Sequence, residues 1–299
     1  MTSVDVLDGV RERRLERPDG RTVAFTEWGD PSGTPLLRVP GTPGSRFNLR
    51  ADRATWAARN LWAITTERPG FGASSRLAGR GFAEPADDLA AVLDEVGVDR
   101  AHCIGGSGSA PHQLAFAARH PDRVRAMTIL VGAAPVTEEE YAALVGVNAE
   151  AHRLIATDDL AGFRRLLEGL RVSILADPLA AFHQIMDKAP DADRAVMTDP
   201  DWQAAFVVSA REAVDQGVDG WYDEGIAIER SWGDVEPAKV QTSVTWWHAA
   251  GDANASITAA ERLVAQLPNA RFVRFGDDEG HFAHYHREAE ILDELLSRG

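Results

Sequence analysis

The sequence predicts an α/β protein: a mostly parallel sheet of eight strands, helices on both faces, and one all-helical insertion. Three observations carry this expectation. Short apolar runs alternate with amphipathic segments along most of the chain, as in strands buried on both faces and joined by crossover helices. Loops rich in Gly, Pro and Ser follow several runs at their carboxyl ends, where the binding groups of an open α/β sheet collect. From Thr137 to about Trp232 the strand-like runs vanish and only helical spacing remains. The expected division is a core domain over residues 1–135 and 236–299, with a helical cap over 136–235 lying across the loops of the sheet.

Each element has its own signal. Arg11 to Arg17 and Arg21 to Gly29 alternate charged and apolar residues around Pro18-Asp19-Gly20, which reads as a hairpin. Leu36 to Val39 is a short strand, Leu49 to Arg59 is helical by spacing, and Leu61 to Thr66 returns as a strand. Glu84 to Val96 places Leu89, Val92, Leu93 and Val96 on one face, with Gly97 as its C-cap. The apolar run through Cys103 that leads to Ser107 and the segment Val124 to Val131 are strands on either side of a helix that includes Gln113 to Arg119. The insertion is read as helices over 138–150, 152–154, 160–175, 178–187, 203–216 and 225–231. Strands at Ser243 to His248 and Arg271 to Phe275, and helices at Thr258 to Gln266 and His284 to Leu296, complete the core.

Bulk properties exclude several partners. The net charge of −15 disfavours nucleic acid and anionic membranes, both of which need clustered Lys and Arg. Met1 to Gly20 lacks an apolar signal-peptide core, and no run is long enough to span a bilayer, so a cytoplasmic protein is the expectation. The single cysteine, Cys103, excludes an internal disulfide and reads as a small buried hydrophobe.

The chemistry centres on Gly105-Gly106-Ser107-Gly108-Ser109. A strand that reverses directly into a helix holds its turn residue at positive φ and needs small neighbours two positions away, here Gly105 and Ser109. Such a turn pushes the Ser107 hydroxyl out at the carboxyl end of the sheet. A dinucleotide loop is a poor alternative, because Pro111 stands where a third glycine belongs and no acidic residue closes the next strand. Asp252 and His281 then follow the last two strands, in the order Ser, Asp, His. In those roles His281 takes the Ser107 proton, Asp252 fixes the imidazole, and the amides of Thr42 and Gly108 hold an oxyanion. Asp277 and Asp278 read as solvated loop residues, and His112 and His248 as structural histidines near the pocket. His281, His284 and His286 fit no trusted ligand spacing, so no metal is expected.

Together these residues resemble the α/β-hydrolase superfamily over nearly the whole chain. Gly105 to Ser109 is similar to its G-x-S-x-G elbow, with serine for the last glycine. Gly41-Thr42-Pro43-Gly44-Ser45-Arg46 is similar to its oxyanion loop, and Glu67-Arg68-Pro69-Gly70-Phe71-Gly72 to its D-x-P-G-x-G loop. His120-Pro121-Asp122-Arg123-Val124 resembles the step before its sixth strand. The principal departure is Pro40, where the family usually carries a histidine that supports the oxyanion loop.

The resemblance implies an α/β-hydrolase fold with a helical cap and no cofactor. It implies a serine hydrolase acting on a carboxylic ester, lactone or thioester of a small, largely apolar substrate through an acyl-enzyme on Ser107. The same fold also supports lyases, cyclases, cofactor-free oxygenases and receptor-like proteins that only bind ligand. The helices of the cap could equally form a homodimer surface.

Overall fold

The computed structural model describes residues 5–50, 53–143, 146–186 and 189–299. Its eight strands are β1 (Arg11–Glu16), β2 (Thr22–Trp28), β3 (Thr34–Val39), β4 (Leu61–Thr66), β5 (Ala101–Gly106), β6 (Val124–Leu130), β7 (Ser243–His248) and β8 (Ala270–Arg274). They form one sheet in the order β1-β2-β4-β3-β5-β6-β7-β8. β2 runs antiparallel to both β1 and β4, and every pair from β4 to β8 is parallel.

Residue type explains position in the sheet. All six residues of β4, Leu-Trp-Ala-Ile-Thr-Thr, are buried, as a central parallel strand covered on both sides requires. β1, Arg-Glu-Arg-Arg-Leu-Glu, stands at the edge, where its charged side chains discourage pairing with another chain. Alternation along β3 sends Leu37 into one core and Leu36 into the other. The first core is closed by helices α2 (Ala83–Glu95) and α3 (Ala110–Arg119), reached after α1 (Ala54–Ala57). Fully buried Ile64 belongs to it, and Ile64→Ala would cost about 2–5 kcal/mol.

The expected helix over 49–59 is corrected to the single turn of α1. The Leu49 amide bonds to the carbonyl of Phe47, Leu49 is buried in the second core, and Arg50 is drawn to Glu288 at 3.0 Å. Residues 51–52 of that expected helix lie outside the described residues.

Between β6 and β7 the described residues contain no strand. Helices α4 (Glu138–Ala143), α5 (Gly146–Ala156), α6 (Leu160–Ala176), α7 (Pro178–Ile185), α8 (Asp191–Met197), α9 (Pro200–Val214) and α10 (Asp219–Arg230) fill that interval. The expected helix over 138–150 crosses residues 144–145, and the one over 178–187 ends on Asp187, all outside the described residues. Aspartates start three of these helices: Asp159, Asp177 and Asp199 each accept backbone amides of the first turn, the usual N-cap arrangement. α8 was not expected; seven residues are too few to show a helical period.

Two further elements close the chain, α11 (Ile257–Val264) and α12 (Glu288–Leu296). The start expected at His284 is corrected, because Ala283–Arg287 winds as a tighter 3₁₀ segment ahead of α12. No helix of the described residues is long and apolar enough to cross a membrane.

Candidate active site

Ser107 sits between β5 and α3 with φ of +57°, a conformation that few residues with a side chain adopt. The small neighbours it needs are enforced by contact. A Cβ on Gly105 would lie 2.4 Å from the Val39 carbonyl and 2.6 Å from Ser109 Oγ. Ser109 is buried and accepts a hydrogen bond from Gln113 Nε2 at 3.0 Å, which ties the elbow to α3. Cys103, four residues earlier on β5, is buried in the first core, and desolvation pushes its thiol far above the usual range.

Asp252 and His281 lie past the carboxyl ends of β7 and β8. His281 Nδ1 lies 2.8 Å from Asp252 Oδ2, and Asp252 Oδ1 accepts the amides of Asn254 and Ala255 at 2.8 and 3.1 Å. Burial favours the neutral form of each group. The mutual attraction outweighs it, so Asp252 is held below the usual carboxylate range and His281 above the usual histidine range. His248 also approaches Asp252 Oδ2, at 3.5 Å. Its ring is already used: Trp246 Nε1 donates to Nδ1 at 3.2 Å and Nε2 faces the Ala255 carbonyl at 3.1 Å. Burial lowers its pKa, which leaves a neutral structural imidazole. Asp277 and Asp278 are exposed.

Thr42 lies against Gly108: a Cβ on that glycine would meet Thr42 Oγ1 at 2.1 Å and the Thr42 nitrogen at 3.5 Å. What holds the Thr42 loop was not visible in the sequence. Pro40 offers no side-chain hydrogen bond, but Arg68 does the work from the loop after β4. Its guanidinium donates to the carbonyls of Pro40 and Gly41 and to Thr42 Oγ1. Arg68 is in turn gripped by Glu224 of α10, with Nε and Nη2 each 2.7 Å from a carboxylate oxygen.

Glu224 is fully buried and also binds Thr42 Oγ1, Arg80 Nη2 at 2.6 Å and His112 Nε2 at 3.1 Å. Burial opposes its charge, yet Arg68, His112 and Arg80 keep it ionised well below the usual carboxylate range. His112 is pushed down to about 4, by burial and then by the two arginines against Glu224. It is therefore neutral, and the cluster of two guanidiniums and one carboxylate carries one net positive charge behind the Thr42 loop.

Ser107, Thr42 and His281 open on one cavity of about 230 Å³. Among the aromatic residues of the inserted helices, Phe182, Trp202, Phe206 and Trp221 line it. Phe163 is buried in a cluster within the insertion, and Trp232 packs on Phe82. Asp193 of α8 reaches the loop after β8, where its Oδ1 accepts the Phe282 amide at 3.0 Å. Among the described residues no group of three His, Cys, Asp or Glu side chains is placed to hold a metal ion.

Comparison with known proteins agrees with this architecture. An uncharacterized hydrolase of Bacillus subtilis is 28% identical over 120 residues, 40% of this chain and 41% of the relative. A bifunctional esterase/perhydrolase of Acinetobacter calcoaceticus is 26% identical over 118 residues, 39% of this chain and 43% of the relative. The chain thus spans about two fifths of the length of the curated relatives it matches. The solved epoxide hydrolase A of Mycobacterium thermoresistibile superposes with a TM-score of 0.70 over 96% of this chain and 97% of its own, at 18% identity; at that identity the likeness concerns the fold. A family profile described as the alpha/beta hydrolase fold matches residues 63–288. With that match and the eight-stranded sheet in hand, the chain belongs to the α/β-hydrolase family.

Proposed function

We propose that this protein is a serine hydrolase that cleaves a carboxylic ester, lactone or thioester of a small, largely apolar substrate. The observation that carries the reading is the convergence on one cavity of a serine at positive φ and a histidine already paired with a buried aspartate. The hydrolase and esterase names among the relatives point the same way.

In this mechanism His281 accepts the Ser107 proton as the hydroxyl attacks the substrate carbonyl. Asp252 stabilises the imidazolium that forms. The tetrahedral oxyanion is held by the amides of Thr42 and Gly108, with the net positive cluster around Arg68 behind them. His281 then protonates the leaving alcohol or thiol, and an acyl group remains on Ser107. Water, deprotonated by His281, releases the acid. Helices 136–235 act as a cap: Phe182, Trp202, Phe206 and Trp221 present an apolar wall that favours a hydrocarbon portion of the substrate.

Pre-steady-state hydrolysis of p-nitrophenyl acetate, butyrate and octanoate tests this reading. A burst of nitrophenol equal to the enzyme concentration, absent in Ser107→Ala, is expected. Turnover that persists in Ser107→Ala contradicts it.

A further inference from the structure

The same cavity has a second polar end that the hydrolytic machinery does not use. Arg38, Arg50 and His284 line it together with Ser107 and His281. Arg38 is on β3, paired in register with Ile104 of β5, three residues before Ser107. The spacing corresponds to about 10 Å of strand.

Arg38 is an unusual group to find there. Its guanidinium stacks over Trp56 at 4.6 Å, and Nη2 makes two long contacts of 3.3 Å to Asn48. Nε is buried and has no partner, and among the described residues no carboxylate forms an ion pair with it. The side chain as a whole is half-buried, and a guanidinium largely withdrawn from solvent is ordinarily paired with an acid, because an unpaired charge there is costly.

The nearest carboxylate, that of Glu288, favours the charge on Arg38 but is bonded elsewhere. Among the described residues Glu288 is the only carboxylate lining the cavity, and it is engaged by Arg50 Nε at 3.0 Å and Trp56 Nε1 at 3.2 Å. Arg50 is further fixed over the Tyr285 ring, 3.7 Å from its centroid. His284 is neutral, since burial and then Arg50, His281 and Arg38 hold its pKa far down. Among the described residues lining the cavity, two guanidiniums face one carboxylate, and that carboxylate is taken by Arg50 and Trp56, which leaves Arg38 without an acid of its own. A neutral hydrocarbon substrate would leave it so; a carboxylate would pair with it through charge-assisted hydrogen bonds.

Building on the hydrolase reading above, we infer that the substrate is an acyl compound bearing a second, free carboxylate at the far end of a short chain, seated on Arg38. Arg38 would then determine specificity without touching the reacting carbonyl, with Arg50 and Glu288 holding the local geometry.

The test compares kcat/KM for p-nitrophenyl hydrogen glutarate and for neutral p-nitrophenyl hexanoate, in the wild type, Arg38→Met and Arg38→Lys. The wild type is expected to prefer the anionic ester by roughly 10- to 100-fold, and Arg38→Met to abolish the preference. Arg38→Lys should restore part of it, since the charge is kept and the fork is lost. The preference is a ratio within each variant, so a merely destabilised enzyme lowers both values and leaves it unchanged. No preference in the wild type, or one that survives in Arg38→Met, overturns the proposal. If neither ester is turned over, the hydrolase reading fails, and glutarate alone decides the subsite. A rise in Tm with millimolar glutarate, lost in Arg38→Met, would support it; no rise would overturn it.

Discussion

Glu224 and Arg68 meet side-on, two parallel bonds of 2.7 Å between side chains that solvent scarcely reaches. One comes from helix α10 of the insertion and the other from the loop after β4. Together they lock the backbone carbonyls of Pro40 and Gly41 in place. The insertion is therefore bolted to the loop that carries Thr42, and the shape of that loop depends on a residue from the opposite half of the chain.

Removing the carboxylate should be severe. Glu224→Gln leaves Arg68 and Arg80 buried without their counterion, and breaking such a cluster from one side costs about 3–5 kcal/mol. Urea denaturation of both proteins at neutral pH measures this. A loss below about 1 kcal/mol would mean that solvent or a relaxed loop supports the two arginines.

The pH dependence follows from His281. Asp252 raises its pKa above the ordinary value of 6.5, overcoming the opposite effect of burial. Only the neutral imidazole can accept a proton, so kcat/KM should rise with pH through an apparent pKa above 6.5. For stability the sign is reversed. The contribution is fully present below the unfolded-state value and is lost as pH rises through the folded one. A pH–rate profile with its acid limb below the ordinary value contradicts the assignment.

Asp252→Asn should lower kcat by roughly 10⁴-fold, because the amide neither stabilises the imidazolium nor holds the required tautomer. The same change should move the acid limb of the profile downward. Steady-state kinetics across pH tests both effects. A variant within tenfold of the wild type would show that another group, such as Asp193, orients His281.

Gly108→Ala probes the oxyanion side. The added methyl would press on Thr42 Oγ1 from 2.1 Å and separate the two amides. A fall in kcat of roughly 10²- to 10³-fold is expected, comparable to loss of one oxyanion donor. Circular dichroism and Tm check that the fold survives; an active, folded variant would place the oxyanion elsewhere.

Much of this arrangement could be read from the chain before its structure was known, because it depends on local chemistry. The elbow is legible since the glycines and serines around Ser107 answer a steric demand within five residues. Asp252 and His281 are legible because each follows a strand whose apolar run announces it. Arg68 and Glu224 are not, since they lie 156 positions apart and nothing in either neighbourhood names the other. Pro40 drew attention to a missing support without revealing its replacement. Arg38 is hidden for a different reason: an arginine in a short strand looks like a solvent-facing residue until the fold places it on the wall of the cavity that Ser107 also lines. The short α1 and α8 were misjudged or missed because four and seven residues carry too little periodicity to outweigh tertiary contacts.

The central claim is that Ser107 is an activated nucleophile. The most direct measurement is mass spectrometry of the intact protein after exposure to a fluorophosphonate, alongside Ser107→Ala and His281→Ala. The account predicts a single adduct on Ser107 in the wild type and none in either variant. A folded wild-type protein that stays unmodified, or an adduct that persists in Ser107→Ala, would contradict it.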